Sequence, residues 1–215
     1  MACPQCLGIE QEFNAEVAQR ELRTYRRRGA PRATQWLIDD LVRHSVEGSS
    51  LVDIGGGVGA IQHALLKAGA AEALAVDASS AYLDAAAAEA ERRGLAGRIT
   101  QQHGDFVSLA DRIPVADIVT LDRVVCCYPD ARSLVAASAG HARRLVGLVY
   151  PRRTWWLKAG FFVSNLFLRG RRSPFRIFLH PPDAIEDVLE QLGFRRTFYR
   201  RTWVWQVAVY AAAPV

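Results

Sequence analysis

Between positions 51 and 60 the chain reads LeuValAspIleGlyGlyGlyValGlyAla, an apolar run that ends near an acid, Asp53, and then turns through Gly55, Gly57 and Gly59. Glycines at that spacing let the backbone take positive φ and let a ligand approach where a Cβ would otherwise stand, at the N-terminus of the helix that follows. Three more acids close later apolar runs: Asp77, Asp105 (followed by Phe106) and Asp122. Groups able to move a proton at neutral pH lie further on, at Tyr128, His141 and His180. Thiols come in two close pairs, Cys3 with Cys6 and Cys126 with Cys127.

The loop alone admits two cofactors. Gly55-x-Gly57-x-x-Ala60, with Asp77 about 20 residues beyond, also satisfies the nicotinamide dinucleotide fingerprint. Asp53 argues the other way, because a carboxylate beside the loop repels a pyrophosphate but tolerates a cation. S-adenosylmethionine carries an ammonium and a sulfonium, and the two hydroxyls of its ribose can be held bidentately by Asp77. A tight turn with no ligand is the plainer alternative.

The elements that must position these residues are legible from periodicity. Helical spacing runs over 10–28, through Phe13, Val17, Leu22 and Tyr25, and stops at Gly29 and Pro31; a second helix carries Trp36, Leu37, Leu41 and Val42 on one face. Short apolar runs then alternate with helical stretches: 50–54, 58–68, 73–77, 79–93, 98–102, 116–122, 131–143 and 145–149. That alternation predicts βαβ units and a parallel sheet buried on both faces. A helix at 181–192 with Ile185, Val188, Leu189 and Leu192 inward, then strands at 194–200 and 203–211 joined at Arg200-Arg201, predicts a terminal hairpin. The expected architecture is a doubly wound, Rossmann-like α/β domain over 1–215, with a seven-stranded, mostly parallel sheet ending in an antiparallel hairpin. Within it, 1–48 form a helical cap, 49–150 the cofactor-binding core, 151–180 a basic apolar lid insertion, and 181–215 the last helix and the hairpin.

In order and register, AspIleGlyGlyGlyValGly (53–59), AlaValAsp (75–77) and GlyAspPhe (104–106) resemble the glycine-loop, ribose-acid and adenine-side motifs of class I S-adenosylmethionine-dependent methyltransferases, and the likeness spans about 50–150. The resemblance implies that Asp53, Gly55, Gly57 and Gly59 line the methionine end, that Asp77 holds the ribose, and that Asp105 and Phe106 flank the adenine, with Asp122 closing the fourth strand beside them. The run LeuAspArgValValCysCysTyrPro (121–129), the basic apolar insertion and the HisProPro-led last helix are similar to magnesium-protoporphyrin O-methyltransferases, which esterify a propionate of a flat tetrapyrrole. Cys127 stands where that family often has His, and the CysProGlnCys start is foreign to it.

The segment 151–182 holds seven Arg or Lys and no Asp or Glu, while the whole chain is +5, so the remainder is about −2 by subtraction. A local basic segment fits a carboxylated ligand or a lipid headgroup and argues against a protein that coats nucleic acid. Its apolar centre, 154–168, reads as a lid over a bulky acceptor, as an interfacial helix touching a membrane through 152–172, or as a core helix. No run reaches the roughly 18 apolar residues of a span, and the start lacks a leader pattern, so the expectation is a cytoplasmic protein, soluble or membrane-associated.

The acceptor is expected to be a small, apolar, anionic molecule methylated on oxygen. A carboxylate needs no base, whereas an alcohol or phenol would call on His180 or Tyr128; His141 is expected at the surface. The four cysteines, if they converge, could bind zinc or a soft metalloid that is itself the acceptor; inert packing is the alternative, and no metal is assigned. A noncatalytic S-adenosylmethionine-binding protein that docks through its basic helix is the remaining reading.

Overall fold

The computed structural model describes residues 4–213 and resolves the alternating pattern into seven strands. They are β1 (Ser50–Ile54), β2 (Glu72–Asp77), β3 (Ile99–His103), β4 (Ala116–Asp122), β5 (Ala142–Pro151), β6 (Phe194–Arg201) and β7 (Trp205–Ala212). Their spatial order is β3-β2-β1-β4-β5-β7-β6. The first five are parallel, and β7 lies antiparallel between β5 and β6, which makes the expected edge hairpin. The strand order reverses between β1 and β4, so a crevice opens beyond their carboxyl ends, where Asp53 and Asp122 sit.

The helices are α1 (Pro4–Glu12), α2 (Ala15–Arg28), α3 (Arg32–Arg43), α4 (Ala60–Lys67), α5 (Ser80–Arg92), α6 (Phe106–Leu109), α7 (Ala131–Gly140), α8 (Trp155–Gly170) and α9 (Pro182–Gln191). Neighbouring strand residues feed opposite cores. Val52, Val119 and Val146 pack toward α7 and α9, while Leu51, Ile118 and Leu145 pack toward α3 and α4. Burial on both faces is why these strands read as unbroken apolar runs.

Four local expectations are corrected. The helix read over 10–28 is two helices, broken at Asn14, whose side-chain oxygen accepts from the backbone N–H of Glu16 and Val17 and caps α2. Helical spacing carried across the break because both helices turn apolar residues inward. The hairpin turns at 202–204 rather than at Arg200-Arg201, and Thr202 closes it by hydrogen bonds with Trp205. Val42 and Leu192 are exposed, since each stands at a helix end where the buried face has run out.

Candidate active site

The sharp exit from β1 is built by backbone conformation. Gly55, Gly57 and Gly59 all have positive φ, and Gly59 begins α4 in the left-handed region. Gly56 is held by space instead: a Cβ there would collide with the Asp53 carboxylate. The loop is tied to β2 twice, by Gly55 N–H donating to Val76 O at 2.7 Å and by Gly57 N–H donating to Asp77 Oδ2 at 3.3 Å.

Asp53 is fully buried and accepts from Thr120 Oγ1 at 2.6 Å. Burial pushes its carboxyl up to about 7, and the nearby Asp122 and Asp77 charges push the same way. Asp77, also buried, is raised to about 6 by desolvation, although the Ser79 and Gly57 N–H groups pull it back. Asp122 accepts from Thr34 Oγ1 at 2.8 Å and is likewise raised by burial, against the pull of Arg123. Buried carboxylates with raised pKa values at one crevice form a site that gains by receiving a cation.

A cavity of about 930 Å³, counting its open mouth, lies over this loop. Gly55, Gly57, Asp77, Asp105, Phe106 and Asp122 line it; Asp53 and Gly59 stand behind its wall. Asp105 caps α6 by accepting from Val107 N–H and Ser108 Oγ, and it also accepts from Tyr128 OH at 3.3 Å. Phe106 is mostly drawn into the core, where its ring meets His141 edge-on. His141 itself is half-buried, with one ring nitrogen bonded to Ala137 O and the other to Ala110 O. It is therefore a strut under Phe106, contrary to the expected surface placement.

The two candidate proton carriers separate. Tyr128 lines the cavity, whereas His180 does not: its Nε2 bonds Tyr128 O at 2.9 Å and its ring stacks on Phe178. His180 thus clamps the loop that carries Tyr128. Among the thiols, Cys6 and Cys127 line the cavity, and Cys126 Sγ lies 3.9 Å from Cys127 Sγ. Cys3 lies outside the described residues, and among those residues no group of three or more His, Cys, Asp or Glu is gathered to hold a metal. The insertion 151–180 contributes no lining side chain, so it does not lid the cavity directly.

Sequence reasoning expected a helical cap over 1–48 but missed the residues that fasten it. Gln5 on α1 donates to both Cys127 O and Arg176 O at 2.7 Å and accepts from Arg176 N–H at 3.1 Å. Gly8 lets α1 press onto the Phe175 backbone, where any Cβ would clash. Phe13 packs against Tyr82 and edge-on to Phe175, so α1 and Phe13 roof the cavity while the strap 173–178 braces that roof from outside. Glu21 on α2 adds a fourth carboxylate to Asp77, Asp105 and Asp122 on the wall, where Arg123 is the single cationic side chain among the lining residues.

Residues 51–145, which carry this loop and the acids from Asp53 to Asp122, match the family model described as a methyltransferase domain. Among solved structures the chain is similar to magnesium protoporphyrin IX methyltransferase from Synechocystis PCC 6803 with bound SAH. The two are 21% identical with a TM-score of 0.74, over 97% of this chain and 100% of that one. It is also similar to an O-methyltransferase family protein from Burkholderia thailandensis, at 17% identity and a TM-score of 0.71, over 95% of this chain and 63% of that one. At these identities the likeness is one of fold. No curated protein matches the chain by sequence.

Proposed function

We propose that the chain is an S-adenosylmethionine-dependent methyltransferase that methylates oxygen on a small apolar acceptor carrying a carboxylate, forming a methyl ester. The carrying observation is the composition of the wall: among the described residues no His or Lys lines the cavity, and Arg123 alone offers positive charge amid Cys6, Ile9, Phe13 and Val124. A carboxylate is deprotonated at neutral pH, so its oxygen attacks without a base, and a site lacking a free imidazole suits it. Bound S-adenosylmethionine supplies an electrophilic methyl on sulfonium. In this reading Asp77 holds the ribose, Gly55, Gly57 and Asp53 shape the methionine end, and Asp105 with Phe106 borders the adenine. Asp122 and Glu21 add negative potential, Arg123 orients the acceptor carboxylate, and the α1 roof excludes water so that alignment does most of the work. Tyr128, bonded to Asp105, fixes the wall between the two ligands. The enzyme would work in the cytoplasm on a small molecule, with no nucleic-acid partner.

The test is a panel of aromatic and polycyclic acids, each beside its amide and its alcohol, scored by S-adenosylhomocysteine release. The expected product is a methyl group that alkali liberates as methanol. An alkali-stable methyl, or turnover confined to phenols, amines or thiols, overturns the proposal.

A further inference from the structure

Helix α8 is apolar on the side that faces away from the protein. Of its sixteen residues only Leu157 and Leu168 are buried. Trp155, Phe162, Val163, Leu166 and Phe167 are 60–81% exposed. With Ala159 they recur at helical spacing and make one outward stripe without a charge, opposite Leu157 and Leu168. Trp203, 83% exposed, stands on the β6–β7 turn, which Arg152 just ahead of α8 reaches by donating to Thr202 O at 3.1 Å. Contiguous exposed apolar surface of this kind marks an interaction site.

Its surroundings select the partner. Arg152 and Arg153 precede the helix, Arg169, Arg171 and Arg172 end it, and no Asp or Glu occurs from 151 to 182. A second copy seated on this stripe would set arginines against arginines with no acid on the segment to meet them. An anionic bilayer offers acyl chains to the stripe and phosphates to both ends. No described helix is long and apolar enough to cross a membrane, which fits a helix lying in the interface plane.

We propose that α8 seats the enzyme on an anionic lipid bilayer, its aromatic stripe at the acyl boundary and its terminal arginines among the headgroups. Helix α8 is tied to the cavity roof through two links. Asn165 on α8 bonds the N–H and C=O of Ile177, in the same strap whose Arg176 is held by Gln5 on the roof. An apolar acceptor dissolved in the bilayer would thus enter beside the roof, but the docking itself does not depend on which acceptor is used.

The experiment is co-sedimentation of the full chain with vesicles of phosphatidylcholine, alone or with about 30% phosphatidylglycerol. Binding to the anionic vesicles is expected to be at least about tenfold tighter, and to weaken in about 0.5 M salt. The exposed-site variant F162S/L166S/F167S should bind them at least about tenfold more weakly while its affinity for S-adenosylmethionine stays within about twofold. Absence of binding to anionic vesicles, equal binding to both compositions, or a variant that binds like the parent overturns the proposal. So does a parent that is dimeric in analytical ultracentrifugation, ignores vesicles, and becomes monomeric on the triple substitution.

Discussion

At pH 8, replacing Asp77 with Asn should cost cofactor binding without costing stability. The carboxyl is buried at the end of β2, and its pKa stands at about 6 against the ordinary 3.8. Because the folded value is the higher one, the native chain holds more protons than the unfolded chain between them. Stability therefore falls as pH rises across about 4 to 6, and the loss is complete above that window. A difference of about two units makes ionised Asp77 a burden of roughly 3 kcal/mol at neutral pH. The amide carries no charge, but its NH2 must face one of the two backbone donors, Ser79 or Gly57 N–H, that the carboxylate now accepts. That mismatch costs on the order of 1–3 kcal/mol, so D77N should melt no lower than the parent at pH 8. At pH 5, where the parent is already relieved, the variant should melt lower. If Asp77 holds the ribose as proposed, two charge-assisted hydrogen bonds at about 1.5–3 kcal/mol each make the expected loss of S-adenosylmethionine affinity at least about a hundredfold. The parent should itself bind about tenfold more weakly at pH 5 than at pH 8, because near pH 5 only about one Asp77 in eleven is ionised. Calorimetric titration and thermal melts at both pH values read all of this. A D77N protein that melts well below the parent at pH 8, yet binds within tenfold of it, would make Asp77 a structural residue and refute the reasoning.

Three further outcomes are expected. His180→Asn should lower kcat by less than about fivefold and leave the pH–rate profile in place, since the ring clamps Tyr128 O from outside the cavity; loss of a general base would cost about 10²–10⁴ and remove a limb of the profile. Gly56→Ala should destabilise by about 1–3 kcal/mol in denaturant melts and weaken S-adenosylmethionine binding, because the added Cβ meets the Asp53 carboxylate and Gln62 Nε2. Gln5→Ala removes three hydrogen bonds, so about 2–3 kcal/mol of stability should go; acceptor KM should rise as the roof loosens while kcat at saturation stays close to the parent's, which steady-state kinetics would show.

What was legible in the sequence lies within a few residues of a strand end. Gly55, Gly57, Asp77 and Asp122 could be placed because the βα register fixes where each strand stops, and a residue at that stop faces the crevice whatever else the fold does. The roof gave no such signal. Gln5 meets Cys127 and Arg176 across 122 and 171 residues, and nothing local to a glutamine in an N-terminal helix records those partners. Asn14 was passed over because apolar spacing on either side of it kept a helical period, although its cap interrupts the helix. Helix α8 shows the limit most sharply: a helix apolar over most of its circumference has no continuous polar stripe to mark its outer face, so lid, core and membrane contact read alike until tertiary packing leaves Trp155 and Phe162 in solvent. The glycine-loop side of the cavity was therefore readable because it is written in local order. The roofed side was not, because α1 reaches the cavity, and the strap 173–178 braces α1, only through contacts distant in the chain.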